Sequence, residues 1–326
     1  MTQQSCPNCS AVKNVSAHVT GQRFLCSCGI RFEVQRTPKT LTSINSTFIS
    51  THPAEAVPCL PGYRLARLIG RGGMGEVFLA RRVSTGESVA VKLLSVGGDD
   101  HRGRVLRFQK EGEVLSRLNH PQIVKLLERG ESGGRHYLVM EYADGPSLRD
   151  IINQGRLNPS DAARWLSQIL DAISVAHNLK IMHRDLKPEN VLSSAGGAVK
   201  VADFGLANLP RGDLALTEST VAMGTMHYTA PEQMKSAKNV DTRADIYSLG
   251  VITYEMLTGE LPLGRFRLPS QKISGLNSKW DAIVCRAMNP VPEQRYSSVL
   301  SMRRDVLKAN GLPGKTGFFS ALLARA

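Results

Sequence analysis

Apolar and polar positions change rhythm twice along this chain of 326 residues. Short runs rich in apolar and β-branched residues, bounded by glycine-rich turns, predict three successive strands over Leu65 to Ile69, Glu76 to Arg81 and Ser88 to Leu93. From about Arg104 to Leu118 the pattern becomes helical. Further on, Asn158 and Pro159 read as an N-cap and a first-turn proline, and Leu166, Ile169, Leu170 and Ile173 recur at i, i+3, i+4 and i+7. That spacing describes a helix with one buried stripe. Strands therefore come first and long helices dominate later, an α+β order. No repeat at a fixed period interrupts it.

Ahead of the strands the pattern is different. Residues 1 to 35 hold four of the six cysteines, in two close pairs, Cys6 with Cys9 and Cys26 with Cys28. In a reducing compartment thiols so spaced point to metal ligation rather than to disulfides. A tetrahedral zinc ion needs four soft donors converging from two tight turns. The segment is too small to fold on its own core, so bound metal would supply its stability. It resembles a zinc ribbon of the Cys-Pro-x-Cys type, with Gly29 after the last cysteine and Phe24 and Phe32 as apolar support. Its second pair is Cys-x-Cys rather than Cys-x-x-Cys, which leaves His18 as a substitute ligand, and a disulfide or four free thiols as the alternatives. Residues 36 to 61 turn to Thr, Ser, Pro and small residues and read as a flexible linker. Cys59 and Cys285 stand apart, as a linker thiol and a core thiol.

Charge changes this picture little. The chain carries 41 Lys and Arg against 28 Asp and Glu, a formal net charge of +13. The basic residues are spread along the chain, which describes a solvated surface more than a single binding face. Nucleic acid is not an expected partner, because Lys13, Arg23, Arg31 and Arg36 have little aromatic interleaving beyond Phe24 and Phe32. Apolar residues at 42% and charged residues at 21% exclude a mainly disordered chain. No apolar run approaches the ~20 residues that cross a bilayer, and the amino terminus lacks the regions of a secretory signal. The expected setting is therefore cytoplasmic. The apolar stretch Phe318 to Leu323 reads as a docking or frayed helix end.

Chemistry is concentrated between Leu68 and Glu232. Gly70, Gly72 and Gly75 form a GxGxxG motif followed by Val77. A strand follows these glycines, where a dinucleotide-binding fold requires a helix. Glycine backbone can approach phosphate oxygens and offer its amides with no Cβ in the way. Fifteen residues after Val77, the apolar strand Val89-Ala90-Val91 ends in Lys92. The octapeptide His183-Arg184-Asp185-Leu186-Lys187-Pro188-Glu189-Asn190 is the most specific segment in the chain, and Asp203-Phe204-Gly205 follows it after Val199 and Val201.

These motifs resemble the eukaryotic-like, or Hanks-type, serine/threonine protein kinases of bacteria, over roughly Tyr63 to Lys308. The resemblance implies a two-lobed α+β fold behind a zinc-ribbon-like module. The kinase domain would run over 62–310, with an N-lobe at 62–141, a C-lobe at 144–310 and a tail at 311–326. It implies ATP held by Gly70, Gly72, Gly75, Val77, Ala90, Lys92, Glu141, Ala143, Asp144 and Leu192. Met140 would guard the back of the adenine pocket. Magnesium, or manganese in its place, would be held by Asn190 and Asp203. Lys92 would be fixed by Glu111, with Glu113 the rival choice. Asp185 would orient the substrate hydroxyl, Lys187 would contact the γ-phosphate, and Thr225 would bridge Asp185 and Lys187. Structural roles fall to Glu232 with Arg295 as a buried pair, and to Asp245 as an anchor for the backbone around His183.

The expected partners are proteins with serine or threonine hydroxyls, and the chain itself in trans through a transient dimer. Arg184 beside Asp185 marks the kinases switched by loop phosphorylation, which makes Thr217, Ser219 and Thr220 the candidate sites. The connection between Leu257 and Trp280 is short for the family, which would alter a docking surface rather than catalysis.

Overall fold

The computed structural model describes the backbone of 3–5, 12–14, 23–25 and 31–33, and residues 60–72, 74–95, 101–204, 225–235 and 240–311. The zinc-ribbon cysteines, His18, the linker up to residue 59, Thr217, Ser219, Thr220 and the apolar tail lie outside these residues. Four short strands open the chain: β1 (Gln3–Ser5) pairs antiparallel with β2 (Val12–Asn14), and β3 (Arg23–Leu25) with β4 (Arg31–Glu33).

The chain divides into two compact units, the first being Met1–His101 with Leu127–Tyr142 and the second Arg102–Leu126 with Ala143–Ala326. In the first unit, β5 (Tyr63–Arg71), β6 (Gly75–Arg82), β7 (Ser88–Leu94), β8 (Leu126–Ser132) and β9 (Arg135–Glu141) form a five-stranded sheet in the order β5-β6-β7-β9-β8. The three expected strands are present and each is longer than its apolar run. Arg71 and Arg82 prolong them because antiparallel pairing continues to Arg71↔Glu76 and Tyr63↔Arg82, so backbone bonding outlasts the side-chain signal. One face buries Leu60, Tyr63, Phe78, Ala80, Val89, Val91, Leu93 and Val139 as a single cluster. Leu60 and Tyr63 draw the end of the linker into that core, and the Tyr63 amide donates to the Leu60 carbonyl at 3.1 Å.

Helices dominate the second unit. They are α1 (His101–Arg117), α2 (Leu148–Gln154), α3 (Pro159–Asn178), α4 (Pro231–Lys235), α5 (Arg243–Thr258), α6 (Pro269–Lys272), α7 (Lys279–Ala287) and α8 (Val299–Ala309). The small hairpin β10 (Val191–Ser193) with β11 (Val199–Val201) lies between α3 and α4 in sequence. α3 begins as expected: the Asn158 side chain accepts the Asp161 amide, and Pro159 fills the first turn. Leu166, Ile169, Leu170 and Ile173 are all fully buried, each contributing roughly 1.5–3 kcal/mol. α3 packs on α8, and α5 on α7. There is no room for a side chain at Gly250, where a Cβ would lie 2.8 Å from the Ala287 side chain. Cys285 corrects the sequence reading, since it is exposed rather than a core thiol. On α7 the buried positions are Trp280, Ile283, Val284 and Ala287, and Cys285 falls on the opposite side of the turn. The short connection after α5 is held by Tyr254, whose hydroxyl donates to the Arg267 carbonyl, and by Asp281, which accepts the Ser270 amide.

Candidate active site

In the first unit the glycine motif is a tight hairpin. Gly72 and Gly75 exchange backbone hydrogen bonds at 2.9 and 3.2 Å. A Cβ at Gly75 would sit 2.1 Å from the Leu93 carbonyl oxygen, so the fold itself requires glycine there. Gly72 and Gly70 are different. A Cβ would meet nothing within 4 Å at Gly72, and only Val77 at ordinary contact distance at Gly70. Among the described residues no close packing requires a glycine at either position, and such bare backbone suits an approaching phosphate.

Cross-strand register places the neighbouring side chains. Val77 is directly opposite Lys92 and Leu79 opposite Ala90, while Ala90 and Lys92 face Met140 and Leu138 on β9. Directly opposed residues share a face, and side chains two apart return to it. Val77, Ala90, Lys92 and Met140 thus occupy one face of the sheet, the one opposite the apolar core. Glu141 is paired with Val89 at the end of β9.

In the second unit, helix phase separates the two candidate glutamates on α1. Glu111 is buried at 2% exposure, whereas Glu113 is exposed and bonded to Lys110 at 3.0 Å.

The catalytic-motif loop is built around Asp245 on α5. Its carboxylate accepts the amides of His183 at 2.9 Å and Arg184 at 2.8 Å, and lies 2.8 Å from the His177 ring nitrogen. Burial alone would raise the Asp245 pKa. The hydrogen bond and charge of His177, together with His183 and the Arg184 amide, outweigh it and hold the carboxyl below its usual range. The clamp is needed because Arg184 has φ of 66° and Asp203 φ of 62°, in the left-handed region. A non-glycine residue held there costs roughly 1–3 kcal/mol and persists only when its surroundings fix it. Gln233 secures the same stretch from α4 by donating to the Arg184 carbonyl.

Four chemically competent side chains converge on this loop. Lys187 Nζ donates to Asp185 Oδ2 at 2.9 Å. Asn190 Nδ2 donates to the Asp185 carbonyl at 2.8 Å and reaches Oδ2 at 3.3 Å. Asn190 ends a 3-10 turn over Pro188–Asn190, and its carbonyl accepts the Ala202 amide at 2.8 Å, which brings Asp203 alongside. His183 Nε2 donates to the Ala202 carbonyl at 2.9 Å, and its ring packs on the buried Phe204 ring with centroids 4.5 Å apart. Asn190 and Asp203 carry oxygen donors of the hard kind that a magnesium ion takes. Leu192 follows on β10. Asp144, an expected ribose ligand, spends one carboxylate oxygen on the Ala195 amide at 2.7 Å. Thr225 opens a 3-10 turn running to Tyr228.

Arg149 on α2 escaped the sequence reading. Its guanidinium donates to Glu189 of the catalytic motif at 2.8 Å, to Glu255 on α5 at 2.7 Å, and to the Tyr228 hydroxyl at 2.5 Å. Burial opposes its charge, but the bonds to Glu255 and Glu189 outweigh that and keep it fully ionised. One residue thereby ties the catalytic motif to the turn after Thr225. The pair the resemblance implies is present, the fully buried Arg295 donating to the partly exposed Glu232 at 2.6 and 2.7 Å.

Comparison with known proteins agrees with this arrangement. Residues 63–309 match the model of the protein kinase domain family. Serine/threonine-protein kinase PknB of Mycobacterium leprae is 38% identical over 267 residues, covering 76% of this chain and 43% of that protein. Serine/threonine-protein kinase pkn2 of Myxococcus xanthus is 43% identical over 205 residues, covering 61% and 25%. The chain thus spans less than half the length of these curated relatives. The crystal structure of the Mycobacterium tuberculosis PknI kinase domain superposes with a TM-score of 0.60 at 29% identity, covering 76% of this chain and 96% of that one.

Proposed function

Since the chain belongs to the protein kinase family, we propose that it transfers the γ-phosphate of ATP to serine and threonine hydroxyls of proteins. The observation that carries this reading is the Asp185 carboxylate with both Lys187 and Asn190 on it. Asp185 accepts the hydroxyl proton or aims its oxygen, and Lys187 supplies positive charge beside the same carboxylate. Gly70, Gly72 and Gly75 offer backbone to the phosphates, and Lys92, on the same sheet face as Val77, neutralises them. Val77 and Ala90 cover the adenine from their shared face of the sheet. Asp144 takes the ribose with its remaining oxygen. Asn190 and Asp203 would hold magnesium, which would supply positive charge to offset repulsion of the attacking oxygen.

Replacing Asp185 by Asn tests this. Transfer to casein should vanish while a fluorescent ATP analogue still binds, and a variant with wild-type activity would refute the assignment.

The reading extends to regulation and to the amino-terminal segment. Arg184 favours autophosphorylation at Thr217, Ser219 or Thr220, by a second copy in trans, checked by peptide mass mapping after incubation with ATP. Cys6, Cys9, Cys26 and Cys28 are proposed to hold zinc. The support is that one pair falls in the connection between β1 and β2, and the other in that between β3 and β4. Metal analysis of the full chain should give one zinc per molecule, lost in a Cys6→Ser/Cys26→Ser double variant. Among the described residues no helix is long and apolar enough to cross a membrane, and a cytoplasmic setting suits both ATP and reduced thiols.

A further inference from the structure

The glycine hairpin carries a polar brace that the phosphate-binding reading does not use. Arg71, at the end of β5, donates through Nε at 3.0 Å and through Nη2 at 2.6 Å to the same oxygen of Glu76. The other Glu76 oxygen lies 3.9 Å from Nη2 of Arg135 on β9. Arg135 in turn donates through Nε to the Leu94 carbonyl at 3.4 Å. The chain of contacts thus runs from the hairpin to β9 and back to the end of β7, two residues beyond Lys92. On the same path the Ser95 amide donates to the Met74 carbonyl at 3.2 Å, and Gly75 lies flat on Leu93.

Register fixes which side this brace occupies. Glu76 is directly opposite Leu93, and the next pair, Val77 with Lys92, points to the other face. Arg71 is opposite Glu76 and shares its face. The Glu76 side chain is only 14% exposed, although that of Arg71 is 66% exposed. Arg71 therefore stands behind the hairpin with respect to Lys92, where it braces the loop and does not meet a phosphate.

We infer that Glu76, held between Arg71 and Arg135, is a positioning residue for nucleotide binding. It fixes the hairpin over the strand that carries Lys92, so that the loop's amides are already aimed when phosphate arrives. The inference rests on the phosphotransfer reading of this site. Pre-aiming a loop reduces the ordering that a ligand must impose, so the effect belongs to nucleotide affinity and not to the chemical step.

The test compares Arg71→Ala, Arg71→Lys and Glu76→Gln with the wild-type full chain. Three quantities are read: binding of a fluorescent ATP analogue, KM for ATP against kcat on casein, and melting temperature without nucleotide. For Arg71→Ala and Glu76→Gln the dissociation constant and KM should rise about three- to tenfold, the range of a partly exposed, doubly bonded ion pair. The turnover number should stay within about twofold, and Arg71→Lys should recover most of the affinity. Wild-type affinity should also weaken more steeply with salt than that of Arg71→Ala. Unchanged affinity and KM in both variants would overturn the inference. So would a loss confined to the melting temperature, with normal affinity in the folded protein. A wild type that binds no ATP analogue would instead remove the phosphotransfer reading, and this inference with it.

Discussion

The buried Asp245 carboxylate accepts the backbone amide of Arg184 at 2.8 Å, at a residue whose φ of 66° no ordinary side chain favours. A carboxylate on a helix thus holds a strained loop in the one shape that presents Asp185. Replacing Asp245 by Asn removes the charge and leaves one of the two loop amides without a good acceptor. Stability should fall by roughly 1–3 kcal/mol, the range for a buried group left unsatisfied. Phosphotransfer should fall by at least about tenfold, because Asp185 loses its fixed position. Urea denaturation and casein phosphorylation check both effects.

The same carboxylate has a consequence for pH. Its pKa lies below the ordinary 3.8, because the interactions with His177, His183 and the Arg184 amide outweigh burial. A depressed pKa means that the folded state favours the ionised form. Its stabilisation is therefore present above the unfolded value and is lost as pH falls through the lower, folded value. Denaturation midpoints measured from neutral pH downward should drop below about pH 4, and Asp245→Asn should show a shallower drop. An identical acid limb in both proteins would assign the loss to other carboxylates.

Two glycines of one motif should respond differently to alanine. At Gly75 a Cβ would collide with the Leu93 carbonyl oxygen at 2.1 Å, so Gly75→Ala should cost roughly 1–3 kcal/mol in overpacking. At Gly72 nothing lies within 4 Å. Gly72→Ala should therefore leave stability within about 0.5 kcal/mol while weakening nucleotide binding. Thermal melting and nucleotide titration separate the two.

Glu232 and Arg295 give a structural prediction independent of catalysis. The Arg295 side chain is fully buried and also donates to the Asn289 and Arg243 carbonyls. Glu232→Ala strands that cation, at a cost of roughly 3–5 kcal/mol. Removing both partners should cost less than Glu232→Ala alone, a double-mutant cycle that denaturation can measure.

What the sequence made legible is what its chemistry keeps contiguous. The octapeptide at His183 to Asn190 is one loop, so its members lie together wherever it folds. The resemblance alone ranked Glu111 over Glu113 in the sequence; on α1 a two-residue step turns a side chain from inside to outside, and Glu111 is the buried one. Arg149 was illegible for the opposite reason. Its partners are 40, 79 and 106 residues away in the chain, and a lone arginine on a seven-residue helix looks like any solvated cation. The bond from Ala195 to Asp144 spans 51 residues and was equally hidden. Cys285 misled because a thiol suggests burial by type, while the helix periodicity around it pointed outward.

The place of β7 in the strand order bears on how the sheet opens. It is third of five, hydrogen-bonded to β6 on one side and β9 on the other, whereas β5, which leads into the glycine hairpin, is an edge. Edges exchange their amide protons through local fraying, and central strands only through larger openings. The amides around Lys92 should thus be among the slowest to exchange in this unit, and those of β5 among the fastest. The glycine hairpin can then lift and reseal many times while Lys92 on β7 keeps its register.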